Sequence, residues 1–223
     1  MKKGELLPVV ILTFRRPQYL QKTIQTFIEQ NKNDLNMFSL RILVQGGLDP
    51  GTADALEKWG SYLDFVDIRD ENEGCAQGFN ICMQEALSLK TPFILHLQDD
   101  WESKKPISRY IHEIFNFMYV YNTVGYIRLA SIHERVSKRN VISNKRVEWS
   151  RGSKNILIGN AHFTLQPAIL RHDVVEQMIP IVKEHHAQNK YHKLGLQVAQ
   201  LDADCFHHTG RKRGKKYLHG WKR

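Results

Sequence analysis

An α/β fold with a central, mainly parallel sheet flanked by helices is predicted by three observations. Short apolar runs recur along the chain, stretches of helical period separate most of them, and Gly or Pro punctuates the joints. The first run, "PVVILTF" (8–14), is apolar throughout, which suits a strand buried on both faces. "RPQYLQKTIQTFIEQ" (16–30) follows, with Leu20, Ile24, Phe27 and Ile28 at helical spacing and Pro17 in the first turn. "LRILVQ" (40–45) is the second strand, closed by Gly46 and Gly47; "TADALEKWGSYL" (52–63) reads as a helix and "DFVDIRD" (64–70) as the third strand. "NEGCAQGFNICMQEALSL" (72–89) turns from a Gly-containing loop into a helix with Phe79, Met83, Ala86 and Leu87 on one face. "PFILHLQ" (92–98) is the fourth strand, and a further helix is expected to start near Lys104.

With 223 residues and 42% hydrophobic content, the chain can build one sizeable core, and a single domain over 1–223 is expected. Three cysteines, Cys75, Cys82 and Cys205, without a CxxC pair speak against a disulfide framework or a Cys-rich zinc module and for a reducing compartment. Cys205, His207, His208, His185 and His186 match no common structural zinc spacing. The first residues lack the pattern of a cleaved leader, and no segment has the ~18 to 20 apolar residues of a membrane span. A cytoplasmic location follows as the expectation, with contact at the inner face of a membrane possible through basic surface. Net charge is +9, and the stretch 210–223 is rich in Lys and Arg and contains no acid. An anionic partner suits that charge.

The most informative segment is "LHLQDDWE" (95–102). In an open α/β sheet, ligand crevices form at the carboxyl ends of the strands, which is where Asp99 and Asp100 fall. Side chains alternate along a strand, so both acids reach one pocket only if the backbone turns there. Hard oxygen donors at that edge suit Mg²⁺ or Mn²⁺ shared with substrate phosphates. The competing reading makes one acid a helix cap and the other a surface residue.

Three segments in order resemble family 2 glycosyltransferases, inverting enzymes of the GT-A (Rossmann-like) fold that use nucleotide-diphosphate sugars. "VVILTFRRPQYLQKTI" is similar to their opening strand, Thr, aromatic and Arg-Pro pair. "NEGCAQGFN" (72–80) resembles their N-x-G-x-x-x-(small)-x-N segment, with Gly78 at the small position, and "LHLQDDWE" stands where they carry an acidic DxD-type motif. The resemblance covers the first half of the chain. It implies a nucleotide-sugar-binding half over 1–102, an acceptor-binding half over 103–210, and a basic tail or lid over 211–223. It also implies a nucleotide site at Thr13, Phe14, Arg16, Gln45, Asn72, Gly74, Asn80 and Asp99, with Arg211 and Arg213 folding over the diphosphate. Gln45 replaces the Asp with which these enzymes commonly read uracil; Gln can donate and accept, and a UDP-sugar is the first expectation. The metal, Mn²⁺ or Mg²⁺, is expected on Asp100 with Asp99 and His208.

In the second half, these enzymes place an acidic pair before a helix ended by Gly, and a strand then leads to a metal-binding His. In "KEHHAQNKYHKLGLQVAQLDADCFHHTG" (183–210), anchoring on Gly195 puts the catalytic base on Glu184 and the His on His208, with Lys183 in place of the first acid. Asp173 is the alternative base, although it also suits a first helical turn, and Glu102 lies near the cation motif as a supporting residue. His207 and His208 should face opposite sides of a strand. The polar, basic stretch 131–155 reads as a long loop or hairpin, and Trp101 and Trp149 are candidates for a sugar platform. The acceptor is expected to be a glycan or another hydroxyl compound. Two rival readings are a sugar-phosphate nucleotidyltransferase, against which "TFRRPQ" lacks glycines, and a basic nucleic-acid-binding domain, which would be indifferent to Asp100.

Overall fold

The computed structural model describes residues 6–130 and 147–209. In chain order the first half holds β1 (Leu7–Phe14), α1 (Pro17–Asn31), β2 (Phe38–Gln45), α2 (Pro50–Trp59), β3 (Phe65–Arg69), α3 (Gly74–Ser88) and β4 (Phe93–Gln98). There follow β5 (Trp101–Ser103), α4 (Ser108–Val120), β6 (Val124–Arg128), β7 (Trp149–Arg151), β8 (Ile156–Gly159) and β9 (Ala168–Arg171). The chain continues with α5 (His172–Met178), α6 (Glu184–Lys193), β10 (Gln197–Leu201) and β11 (Phe206–His208). Every strand and helix expected up to residue 98 is present. The helix expected near Lys104 begins instead at Ser108, because the short strand β5 intervenes and pairs with β11.

Nine strands form one sheet in the order β3-β2-β1-β4-β9-β6-β10-β8-β7. β3, β2, β1 and β4 are mutually parallel, β9 opposes β4 and β6, and β8 opposes β10 and β7. Within this sheet all strands except β8 and β9 therefore run one way, as β6 and β10 are also parallel to each other. Part of the stretch expected as a loop or hairpin is β7, paired with β8; residues 131–146 lie outside the described residues.

Two apolar layers cover the two sheet faces, which is why β1 and β4 carry no polar stripe. Leu7, Val9 and Ile11 of β1 and Phe93, Leu95 and Leu97 of β4 join Leu20, Ile24 and Phe27 of α1 and Ile111 and Ile114 of α4. Val10 and Leu12 of β1 and Ile94 of β4 face the other way, onto Phe79 and Met83 of α3, Val174 of α5 and Ala187 of α6. Each of the Val, Leu, Ile, Phe and Met side chains among them is worth about 1.5–3 kcal/mol by burial, so neither layer is dispensable. Helix starts are set locally: Asp49 caps α2 by accepting from the Thr52 amide at 3.0 Å and the Thr52 hydroxyl at 2.7 Å, with Pro50 next. Pro17 likewise stands at the start of α1, although the Arg16 side chain before it makes no capping hydrogen bond.

His96 is the one titratable side chain of β4, and it lies in the second layer against the edge of Phe79, with ring centroids 5.0 Å apart. Its Nε2 has no hydrogen-bond partner among the described residues, and burial holds its pKa down to about 3. An unfolded imidazole takes a proton near pH ~6.5. The stability contributed by the neutral ring is thus complete above that pH and drains away as pH falls towards the folded value. Replacing His96 by Leu should flatten the decline of the urea midpoint between pH 6.5 and 5. A decline as steep as that of the unsubstituted protein would contradict this account.

Candidate active site

The parallel strands end along one edge, and the chemistry-bearing residues gather there. Thr13 and Phe14 end β1, Gln45 ends β2, and Gln98 ends β4 ahead of Asp99 and Asp100. Between them opens a cleft of about 240 Å³ lined by Thr13, Phe14, Arg16, Gln45, Gly74 and Asp100, among others. Asn72 also lines it, its side-chain oxygen accepting from the Gly74 amide at 3.0 Å to shape the turn into α3.

Adjacent acids can serve one site here because the backbone turns immediately after β4. The Asp99 amide donates to Leu12 O at 3.1 Å, and the buried Thr23 hydroxyl contacts Asp99 O at 2.6 Å and Trp101 O at 3.1 Å. Asp99 points inward and is 0% exposed. Its Oδ2 accepts from the Thr13 hydroxyl at 2.7 Å, the Phe14 amide at 3.4 Å and Arg16 Nε at 3.2 Å, and Arg16 Nη2 pairs with Oδ1. Burial pushes its carboxyl up to about 7, against the opposing pull of Arg16 and with Asp100 adding to the rise. Asp99, expected as a second metal ligand and a ribose contact, is therefore committed to the chain itself.

Asp100 faces the cleft side. Its Oδ2 accepts from Arg16 Nη1 at 2.9 Å and lies 3.5 Å from His208 Nε2; its Oδ1 is buried without a hydrogen-bond partner among the described residues. Thr209 fixes the Asp100 carbonyl through its amide at 2.9 Å and its hydroxyl at 3.0 Å, so the end of β11 is strapped to the end of β4. His207 and His208 do face opposite sides: His208 meets Asp100 and packs edge-on against Trp101, while His207 is exposed beside Tyr19 and Lys22 of α1.

Arg16 reaches both acids because of the residue before it. Arg15 has φ 47°, in the left-handed region disfavoured for side chains larger than Gly, and its Nε donates to Gly46 O at 3.0 Å. That bend carries Arg16 back over the strand ends. Burial works against the Arg16 charge, yet the facing carboxylates of Asp99 and Asp100 outweigh it and raise its pKa.

Gln45 is 1% exposed, with Nε2 donating to Gly74 O at 3.4 Å and Oε1 left without a partner among the described residues. It fits because α3 carries Gly78 opposite: a Cβ there would stand 2.0 Å from Gln45 Nε2 and 2.8 Å from Leu12 Cδ1. Cys75 and Gln98, not singled out from sequence, also line the cleft, with Gln98 Nε2 3.3 Å from Cys75 Sγ. Burial pushes the Cys75 thiol up to about 11, and the charges of Glu184 and Asp100 add to the rise. Glu184 opens α6, is exposed, and accepts from the Leu165 amide at 3.3 Å.

Three expectations are corrected. Asp173 is at the opposite edge of the sheet. β9 runs against β4 and pairs Arg171 with Phe93, so Asp173 lies a strand length, about 20 Å, from Asp99. There it pairs with Arg171 beside a separate hollow of about 380 Å³. Asn80 makes no cleft contact. Its Oδ1 accepts from the Ile181 amide and its Nδ2 donates to the Ile181 carbonyl, each at 2.8 Å, anchoring the segment that leads to Glu184. Trp101 is 2% exposed in the core and offers no platform, whereas Trp149 is half-buried with the Arg128 guanidinium 5.8 Å from its ring. Glu102 pairs with Lys104 on the far side of β5. Arg211 and Arg213 lie outside the described residues.

Among the described residues, no three or more His, Cys, Asp or Glu side chains are grouped to hold a metal ion. A smaller donor set is present: the unpartnered Asp100 Oδ1 and the His208 imidazole pair a hard oxygen with a nitrogen donor. That set fits an Mn²⁺- or Mg²⁺-type ion that takes its remaining ligands from water and phosphate.

Gly78→Ala should cost about 1–3 kcal/mol in urea unfolding by overpacking against Gln45 and Leu12, and Gln45→Ala in the same chain should recover part of the loss. Purely additive effects would refute the contact. Asn80→Ala should cost about 1–3 kcal/mol and speed amide exchange at Ile181; unchanged exchange there would show that Asn80 does not anchor the segment.

Compared by sequence, the chain matches no protein-family model and no curated protein. Compared by structure, it is similar to the mannosyltransferase PcManGT from Pyrobaculum calidifontis in complex with GDP-Man and Mn²⁺. The TM-score is 0.66 at 14% identity, over 93% of this chain and 58% of that one. It is also similar to residues 1–349 of S. aureus TarS in complex with UDP-GlcNAc, with TM-score 0.65 at 13% identity, over 98% of this chain and 62% of that one. A further S. aureus TarS structure gives TM-score 0.62 at 13% identity, over 92% of this chain and 37% of that one. The chain spans less than two thirds of each of these proteins. What it shares with them is the architecture: the described residues adopt the GT-A fold of nucleotide-sugar glycosyltransferases.

Proposed function

We propose that the protein transfers a sugar from a nucleotide-diphosphate donor to an acceptor hydroxyl, with inversion at the anomeric carbon. The observation that carries this reading is one cleft at the strand ends lined by Gln45, Arg16 and Asp100, whose buried Gln45 Oε1 and Asp100 Oδ1 have no hydrogen-bond partner among the described residues. The neighbours solved with GDP-Man and with UDP-GlcNAc support the same donor class.

Gln45 holds the base. Its Nε2 is anchored on Gly74 O, so Oε1 presents a fixed acceptor to a ring N–H. UDP remains the first candidate, since the uracil imide offers such a donor. Thr13 and Phe14 form the wall beside the nucleoside, and Asn72 and Gly74 the rim. Asp100 and His208 would hold a divalent cation, which when bound supplies positive charge against the charge developing on the leaving diphosphate. Arg16 adds a preorganised cation at the same place. Glu184 is the proposed base: it takes the acceptor's proton as the acceptor oxygen bonds the anomeric carbon, and the bond from that carbon to the diphosphate breaks with its electron pair leaving on the diphosphate.

One domain over 1–223 is proposed, with the donor cleft in 1–102 and Glu184 and His208 contributed from the acceptor-side half. Among the described residues no helix is long and apolar enough to cross a membrane. The three cysteines are free, which suits the reducing cytoplasm proposed as its location.

A panel of nucleotide sugars with Mn²⁺ should identify a donor that raises the melting temperature of the protein and is slowly hydrolysed. Asp100→Asn and His208→Ala should abolish the metal-dependent part of the stabilisation. Glu184→Gln should lower kcat by about 10²–10⁴ while leaving donor stabilisation unchanged. A protein that responds to RNA or DNA and to no donor would refute the proposal.

A further inference from the structure

Arg16 presents a conflict that the donor-site reading leaves open. It contacts both acids of the turn, and one of its nitrogens, Nη1, sits 2.9 Å from Asp100 Oδ2, the same oxygen that lies 3.5 Å from His208 Nε2. A cation ligated by Asp100 and His208 would therefore have to share its carboxylate with a guanidinium, and two cations close to one carboxylate repel.

The two contacts made by Arg16 are not equivalent. Towards Asp99 it pairs through Nε and Nη2, the fork geometry in which Arg binds carboxylate most firmly, with a partner that is 0% exposed. Towards Asp100 it uses Nη1 alone. The Arg16 side chain is 32% exposed, lines the donor cleft, and has its guanidinium 5.8 Å from the Tyr19 ring centroid. It thus has a firm anchor, a weaker second contact and room on the cleft side.

We propose that Arg16 is an internal counter-ion that occupies Asp100 before a divalent cation does, and that it gives up Asp100 in exchange for the metal while keeping Asp99. The charges explain the use of such a device. With both carboxyls ionised, Asp99, Asp100 and Arg16 together carry one negative charge in excess. With a doubly charged ion the same cluster carries one positive charge, which attracts a diphosphate. Arg16 Nη1, released from Asp100, is then free to donate to that diphosphate from the cleft wall. Arg16 on this account lowers the intrinsic metal affinity and couples metal binding to donor binding, because the donor gives the displaced guanidinium a new partner. The inference rests on the proposed donor site and its cation.

The test is Mn²⁺ binding to the full chain by calorimetry and by the loss of the free-ion electron paramagnetic resonance signal, without nucleotide and then with UDP or GDP. Arg16→Gln should bind Mn²⁺ about tenfold more tightly than the unsubstituted protein in the absence of nucleotide, and UDP or GDP should enhance its Mn²⁺ affinity less. Arg16→Lys, which keeps the charge and loses the fork, should fall between the two and guards against a Gln variant that fails to fold. Asp100→Asn should bind no Mn²⁺. Equal or weaker metal binding by folded Arg16→Gln and Arg16→Lys would overturn the exchange. Metal exchange at Arg16 without any binding of UDP, GDP or a nucleotide sugar would leave the exchange standing and overturn the glycosyltransferase reading; nucleotide binding with no Mn²⁺ binding by any variant would do the reverse.

Discussion

The ion pair between Arg16 and the fully buried Asp99 is the interaction on which the site is built. A carboxylate withdrawn from water is costly unless it is paired and hydrogen-bonded. Asp99 meets that cost with Arg16, the Thr13 hydroxyl and the Phe14 amide, all from the end of β1 and the turn into α1. Parallel pairing of β1 with β4 brings those residues beside Asp99 although they lie more than eighty positions away in sequence. Removing any one partner would leave charge or a polar group stranded in the interior.

Satisfying Asp99 in this way leaves Asp100 exposed to a different demand. The turn held by Thr23 and Thr209 points it towards the cleft, where one oxygen meets Arg16 and His208 and the other meets nothing among the described residues. Adjacent residues of the same chemistry thus divide the work: Asp99 anchors the turn that carries Arg16, and Asp100 keeps one oxygen without a partner among the described residues. Gln45 follows the same logic on the neighbouring strand, with its amide nitrogen anchored and its oxygen presented. The space for it comes from a missing side chain at Gly78.

The second half of the sheet decides which acids can reach this place. Because β9 runs against β4, the residues before it lie at the edge of the cleft and the residues after it lie at the other edge. Leu165, before β9, meets Glu184; Asp173, after it, pairs with Arg171 beyond the start of β4. Asn80 holds the incoming segment of α6 by both ends of its amide. A residue that looks like a ligand in the sequence is here a fastener for a neighbouring element, which is the common fate of a buried amide in a well-packed core.

Periodicity and punctuation in the sequence determined the α/β class, the four parallel strands of the first half with their helices, and the position of Asp99, Asp100 and Gln45 at strand ends, because apolar spacing and turn chemistry are local properties of the chain. The opposite facing of His207 and His208 was legible for the same reason. Strand direction in the second half, the bonding of Asp99 to Arg16, the clamp at Asn80 and the burial of Trp101 were decided only by tertiary structure. Each depends on which distant segment arrives alongside, and no local pattern records whether the chain enters a sheet from its top or from its bottom edge.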